Sequence, residues 1–159
     1  MKSMDEVYDR YANTVYRYLL SLTRDPDTAE ELTQETFYQA IRSSGRYDGS
    51  SSVSTWLCAI AKRVHLVYIR KHPPHEDISS AEIARASAED SAIENEARRE
   101  LLKKLHSLKE PMREVMYLRV FGGLSFREIG EILGRTENWA RVTFFRGKES
   151  LRKDIEKDE

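Results

Sequence analysis

SFREIGEILGRTENWARVTFFRGK, residues 125–148, is the stretch on which the fold turns. Ser125, with Glu128 three residues on, has the spacing of a capping box, in which side chains and backbone satisfy each other at a helix start. Ile129, Ile132 and Leu133 supply an apolar face. Gly130 leaves room for a second helix to cross closely, Gly134 supplies a tight turn, and Thr136 is placed to cap the helix that follows. Two helices joined by a short glycine-containing turn are the grammar of the helix-turn-helix, whose second helix enters a major groove. On that second helix Ala140, Phe144, Gly147 and Leu151 recur at helical spacing and are expected to face the core. Arg141, Val142, Phe145, Arg146 and Lys148 then point largely outward. Arginine suits bidentate contacts to guanine or phosphate, and Val142 or Phe145 suits a thymine methyl. A plain helical hairpin with a solvated basic face has the same spacing, and Phe145 alone fits simple packing as well.

Working outward, Ile93, Ala97, Leu101, Leu105 and Leu108 carry helical periodicity. Pro111 opens a helix with Val115, Met116, Leu118 and Phe121, closed by Gly122-Gly123. The helix-turn-helix follows, its second helix running from Glu137 to about Asp154. Near the N-terminus Tyr8, Tyr11, Val15, Tyr18, Leu19 and Leu22 keep to one helical face. Asp25-Pro26-Asp27 marks a stop and restart, with Asp25 as cap and Pro26 at the first helical position. The next helix is expected to bury Ala29, Leu32, Phe37, Ala40 and Ile41 and to run to about Arg42. A loop around Arg46-Tyr47-Asp48 precedes a third helix, Trp56 to about Lys71, capped by Ser54 or Thr55. Pro73-Pro74 ends it.

No segment alternates as a strand, so the expected fold class is all-α, in two small helical domains. Residues 1–72 form an N-terminal three-to-four-helix domain and residues 93–159 the helix-turn-helix domain. Residues 73–92, rich in Ser, Ala, Glu and Asp, read as an acidic flexible linker with room for a short helix near Ile83.

Charged residues make up 33% of the chain, yet the net charge is only -1. That total hides an uneven distribution. Residues 56–71 carry Lys62, Arg63, Arg70 and Lys71 with no acid, whereas residues 76–96 carry Glu76, Asp77, Glu82, Glu89, Asp90, Glu94 and Glu96 against Arg85 alone. Basic modules flank an acidic connector, and the near-neutral whole predicts weak DNA binding by the free chain. Cys58, in an apolar helical stretch, is the only cysteine and is expected to be an inert packing residue. His65 and His72 show no metal-ligand pattern. The sequence has no Gly-rich phosphate loop, metal cluster or nucleophile motif, so neither an enzyme nor a metal or cofactor is expected. No apolar run has the length of a membrane span and the first residues lack a secretion signal, so a cytoplasmic location is expected.

Five segments together resemble the group 4, or extracytoplasmic-function, sigma factors of the sigma-70 family. They are Tyr11 to Leu22, AEELTQETF at residues 29–37, WLCAIAK at residues 56–62, Leu108 to Leu118, and Phe126 to Leu151. The likeness spans roughly residues 5–71 and 97–153. It implies a transcription-initiation factor that directs core RNA polymerase to particular promoters and carries no catalysis of its own.

The resemblance implies that the helix around Gln34 docks on the clamp coiled coil of polymerase β′, through Asp27, Glu31, Gln34, Glu35 and Phe37. Independently, the first four of these share a polar face opposite the buried one, and such a face either complements a basic partner or is simply solvated. The resemblance further implies that residues 45–70 open and capture the promoter -10 element, with Tyr47, Trp56, Lys62, Arg63, Tyr68 and Arg70 available and Trp56 shaping the loop by packing. The -35 duplex falls to Arg127, Arg135, Arg141, Val142, Phe145, Arg146 and Lys148. The same module is implied to contact the polymerase β flap, the linker to thread toward the RNA exit channel, and an anti-sigma factor, often membrane-bound, to occlude the polymerase-binding surfaces. The chain departs from the family pattern at Arg63 and Val67, where asparagine and aspartate are usual, and at Trp139-Ala140. The competing expectation is a free-standing helix-turn-helix regulator. Such proteins usually dimerise, and here the two modules are unlike and show no dimer seam.

Overall fold

The computed structural model describes residues 3–72 and 96–157. In order these form α1 (Met4–Thr23), α2 (Pro26–Ser43), a 3-10 turn (Ser44–Arg46), α3 (Val53–Lys71), α4 (Glu96–Ser107), α5 (Met112–Val120), α6 (Phe126–Leu133) and α7 (Glu137–Lys157), with no strand among the described residues. The all-α fold class follows. The expected linker at residues 73–92, its short helix near Ile83, and Ile93 lie outside the described residues.

In the N-terminal module the Ser3 hydroxyl accepts the Glu6 N–H at 3.3 Å and starts α1. Arg24 ends it in the left-handed region, φ 54°. Val15, Tyr18, Leu19 and Leu20 are buried in the core, the aliphatic side chains among them contributing about 1.5–3 kcal/mol each. Tyr8, expected on the buried face, is half-exposed and packs edge-on against Phe37, ring centroids 4.9 Å apart. Pro26 opens α2 as expected, but the Asp25 carboxylate takes the Thr28 hydroxyl rather than a backbone N–H. The buried row of α2 runs through Ala29, Leu32, Thr36 and Ala40. Ile41 lies past its edge and is 55% exposed, contrary to expectation. Helix α3 begins three residues earlier than the sequence suggests. Ser52, not Ser54 or Thr55, is its cap, because the Ser52 hydroxyl stands where it can accept the Thr55 N–H at 3.1 Å. Cys58 is fully buried on this helix, and burial pushes its thiol up to about 12, so it stays a neutral packing group.

The C-terminal module forms as its local signals require. Ser125 accepts the Glu128 N–H at 3.1 Å while the Glu128 carboxylate accepts the Ser125 N–H at 2.9 Å. Gly134 ends α6 at φ 68°, a conformation that favours glycine. The Thr136 hydroxyl accepts the Trp139 N–H at 3.0 Å at the start of α7. Ala140, Gly147 and Leu151 are buried and Phe144 is partly so. Helix α5 is buried along five successive residues, 114–118, which places it at the centre of the molecule.

The two modules pack on each other. Helix α5 crosses α1, and one continuous apolar core includes residues of both halves. Around that core run polar links. The Ser54 hydroxyl donates to the Gly122 carbonyl at 2.6 Å, Arg24 Nη1 to the His106 carbonyl at 2.6 Å, and the Arg17 guanidinium sits 5.0 Å from the Phe121 ring centroid. Nothing in the sequence pattern anticipated this docking.

Candidate nucleic-acid and polymerase interfaces

Helix α2 turns its buried row inward, so Asp27, Glu31, Gln34 and Glu35 all stand exposed on its outer face. Phe37 does not join them. It is 5% exposed, locked against Tyr8 and the core, so its place in a contact surface is corrected to a packing role. Two apolar groups border the acidic face instead, Tyr38, which the sequence did not single out, and Ile41, which it placed in the core, both more than half exposed. Between α2 and α3 lies a groove of about 810 Å³, whose walls differ in charge: Glu31, Gln34 and Glu35 on one side, Arg63 and Lys71 on the other.

On α3, Arg63 and Arg70 are exposed, and Val67 stands beside them at 45% exposure. The aromatic groups expected to take unstacked bases are partly engaged with the protein. Tyr47 stacks on Trp56, ring centroids 4.8 Å apart, and its hydroxyl donates to the Ser51 carbonyl, which clips the loop at residues 47–52 shut. Trp56 is thus a loop-shaping residue, and Tyr47 shares that work. Tyr68 stacks on His72, centroids 4.0 Å apart. Lys62 differs most from expectation. Its ammonium is 2.9 Å from Glu114 Oε2 in the other module, so it does not project freely beside Arg63.

On α7 the outward face carries Val142 at 38% and Phe145 at 50% exposure, with Arg146 and Lys148 exposed beside them. Arg141 is half-buried, 3.3 Å from Glu137 and over the Phe126 ring at 5.4 Å. Lys148 Nζ lies 5.4 Å from the Phe145 centroid. Arg127 and Arg135 are exposed on α6 and the turn, Arg127 loosely paired with Glu131 at 3.9 Å and Arg135 over Trp139 at 5.2 Å. A helix face combining arginines with apolar groups reads base edges and backbone together.

Residues 7–73 match the family model of sigma-70 region 2, and residues 98–151 that of sigma-70 region 4. The chain belongs to the sigma-70 family. Its relatives identify the type. It is 31% identical over 153 residues to the ECF RNA polymerase sigma factor SigM of Bacillus subtilis, covering 94% of this chain and 93% of that one. It is 35% identical to the RNA polymerase sigma factor CarQ of Myxococcus xanthus, covering 94% of this chain and 87% of that one. Among solved structures, the sigma factor RpoE of Bartonella quintana, crystallised with the anti-sigma factor NepR, superposes with a TM-score of 0.72 over the whole of both chains at 18% identity. The protein is an extracytoplasmic-function RNA polymerase sigma factor, which disfavours the free-standing regulator.

In this sigma factor a buried polar cluster joins the two modules. Glu114, 6% exposed, accepts the Tyr18 hydroxyl at 2.7 Å and the Lys62 ammonium at 2.9 Å on the same oxygen. Burial, and then the adjacent Glu114 carboxylate, hold the Tyr18 phenol protonated far above the usual tyrosine range. Sequence reasoning overlooked Glu114. Its one local signal is that MREVMYLRV, residues 112–120, has apolar groups on every side, the mark of a helix packed all round. No helix among the described residues is long and apolar enough to cross a membrane.

Proposed function

We propose that the sigma factor divides its work between its modules, residues 1–72 binding core polymerase and the -10 element and residues 93–159 the -35 element. Asp27, Glu31, Gln34 and Glu35 form the docking face for the clamp coiled coil of β′, bordered by Tyr38 and Ile41. Arg63, Arg70 and, once released from Glu114, Lys62 hold the -10 strand, with Tyr47, Trp56 and Tyr68 shaping the surface on which it lies. Arg141, Val142, Phe145, Arg146 and Lys148 read the -35 duplex, with Arg127 and Arg135 on flanking phosphates, and the same module contacts the β flap. The protein acts in the cytoplasm and supplies promoter address and melting, while the polymerase performs the chemistry. An anti-sigma factor is its regulatory partner; the RpoE of like fold was crystallised with one.

The observation that carries this assignment is the segregation of exposed faces by charge, acidic on α2 and basic with aromatic and aliphatic groups on α7. Each has the chemistry of a different partner, a basic protein surface and a nucleic acid. Run-off transcription on a genomic library tests it. Purified core polymerase with the sigma factor is expected to start at discrete promoters that core alone ignores. Failure to co-purify with core, together with unchanged start sites, would overturn it.

A further inference from the structure

One aromatic ring of the C-terminal module ties three helices together. Phe126 is the first residue of α6, set there by the Ser125–Glu128 capping box, and its side chain is partly buried. Phe144 of α7 packs against it, ring centroids 5.5 Å apart. Two guanidinium groups stand over the same ring, Arg119 of α5 at 4.2 Å from the centroid and Arg141 of α7 at 5.4 Å. The face of an aromatic ring is electron-rich and attracts both. Arg119 is tied down further, its Nη1 donating to the Leu124 carbonyl at 2.9 Å. Arg141 has a weaker second hold. Its ion pair with Glu137 is open to solvent, the side chains 44% and 50% exposed, and pairs of that kind contribute little.

We propose that Phe126 is a positioning residue for -35 recognition: its ring sets where the Arg141 guanidinium enters the groove, and through that the base-pair discrimination that Arg141 supplies. The inference rests on the assignment of Arg141 to the -35 duplex. Phe126 needs no contact with DNA to act in this way. An arginine discriminates between bases only when its paired donors meet the base edge together, whereas a phosphate accepts it from many angles. Loss of aim therefore reaches base choice before it reaches overall affinity. A cation–π contact at a partly exposed site is worth about a two- to fivefold change in an equilibrium. Lys148 rests over Phe144 and Phe145 instead, at 5.8 and 5.4 Å, so its contribution does not depend on the Phe126 ring face.

The test uses holoenzyme assembled from core polymerase and the full-length chain, on a promoter found by run-off transcription whose -35 base pairs are changed one at a time. Competition binding gives the discrimination at each position. Arg141→Ala is expected to lose discrimination at one or two adjacent base pairs. Phe126→Leu, which keeps an apolar side chain and removes the ring face, should lower discrimination at those same pairs by about two- to fivefold and leave the others as they were. Phe126→Tyr keeps the ring and should restore wild-type values. Adding Phe126→Leu to Arg141→Ala should change nothing further. Phe126→Met decides the matter should the leucine variant fail to fold. Discrimination unchanged in Phe126→Leu, a loss spread evenly over all positions, or a further loss in the double variant would each reduce the ring to packing and leave the Arg141 assignment standing. Discrimination intact at every position in Arg141→Ala overturns that assignment and the positioning role with it.

Discussion

A Cβ atom on Gly130 would stand 2.8 Å from the carbonyl oxygen of Thr136. That distance is below any ordinary contact, and the obstacle is backbone that cannot swing aside. Gly130 is thus the residue that lets the turn of the helix-turn-helix lie against α6. Gly130→Ala is expected to destabilise the protein by about 1–3 kcal/mol, as an overpacked site does. Urea unfolding monitored by circular dichroism measures this, and an unchanged midpoint would show that the turn relaxes freely.

Two residues of α2 should separate packing from docking. Phe37→Ala removes a buried ring and is expected to lower stability by about 3–5 kcal/mol. Glu31→Lys, on the exposed face, should change stability by no more than about 0.5 kcal/mol yet weaken association with core polymerase. Binding to immobilised core, read beside thermal melting, tests both. Equal losses of binding and stability in Glu31→Lys would remove the docking face from α2.

Arg63 stands exposed on α3, on the wall of the groove that faces α2. Arg63→Asn is expected to alter the -10 sequence preference without changing the melting temperature, because the guanidinium adds phosphate affinity and the amide adds base selectivity. Sequencing transcripts from a randomised -10 library is the measurement. An identical preference in the two proteins would take Arg63 out of the promoter contact.

Arg146, exposed beside Phe145 on α7, is expected to contribute about 1–3 kcal/mol to recognition of the -35 duplex. Arg146→Ala should therefore reduce open-complex formation by holoenzyme at promoters with a -35 element, and footprint protection there should fade first. Full protection in the variant would shift the contact to other residues of the helix.

His106 makes stability depend on pH. It is fully buried beside Tyr117, their Nε2 and hydroxyl 2.6 Å apart. Burial first, and then the guanidinium groups of Arg24 and Arg113, push its imidazole down to about 3. In the unfolded chain it takes up a proton near 6.5, so acid favours the unfolded state. The contribution is fully present above pH 6.5 and is lost as pH falls through the window toward 3, at about 1.4 kcal/mol per unit. Denaturant titrations at pH 7 and pH 5 should show the fall in wild type and less of it in His106→Gln. Equal falls in the two would place the acid sensitivity elsewhere.

The sequence by itself determined most of what depends on neighbours three or four residues away. The Ser125–Glu128 capping box, the left-handed Gly134, the Thr136 cap and the separation of faces on α7 are all local, because helix hydrogen bonds and caps link residues close in the chain. The exposed polar face of α2 was legible for the same reason. Where local signals tie, the tertiary structure chose. The sequence favours Ser54 or Thr55 as the cap of α3 yet Ser52 serves, and Ile41 fits the apolar period of α2 but lies beyond the core it would fill. Only the tertiary structure decided that Glu114 would meet Tyr18 and Lys62, 96 and 52 residues away along the chain. A carboxylate in a sequence looks like a surface group. Its burial becomes tolerable only when two distant donors converge on it, and no periodicity records that convergence.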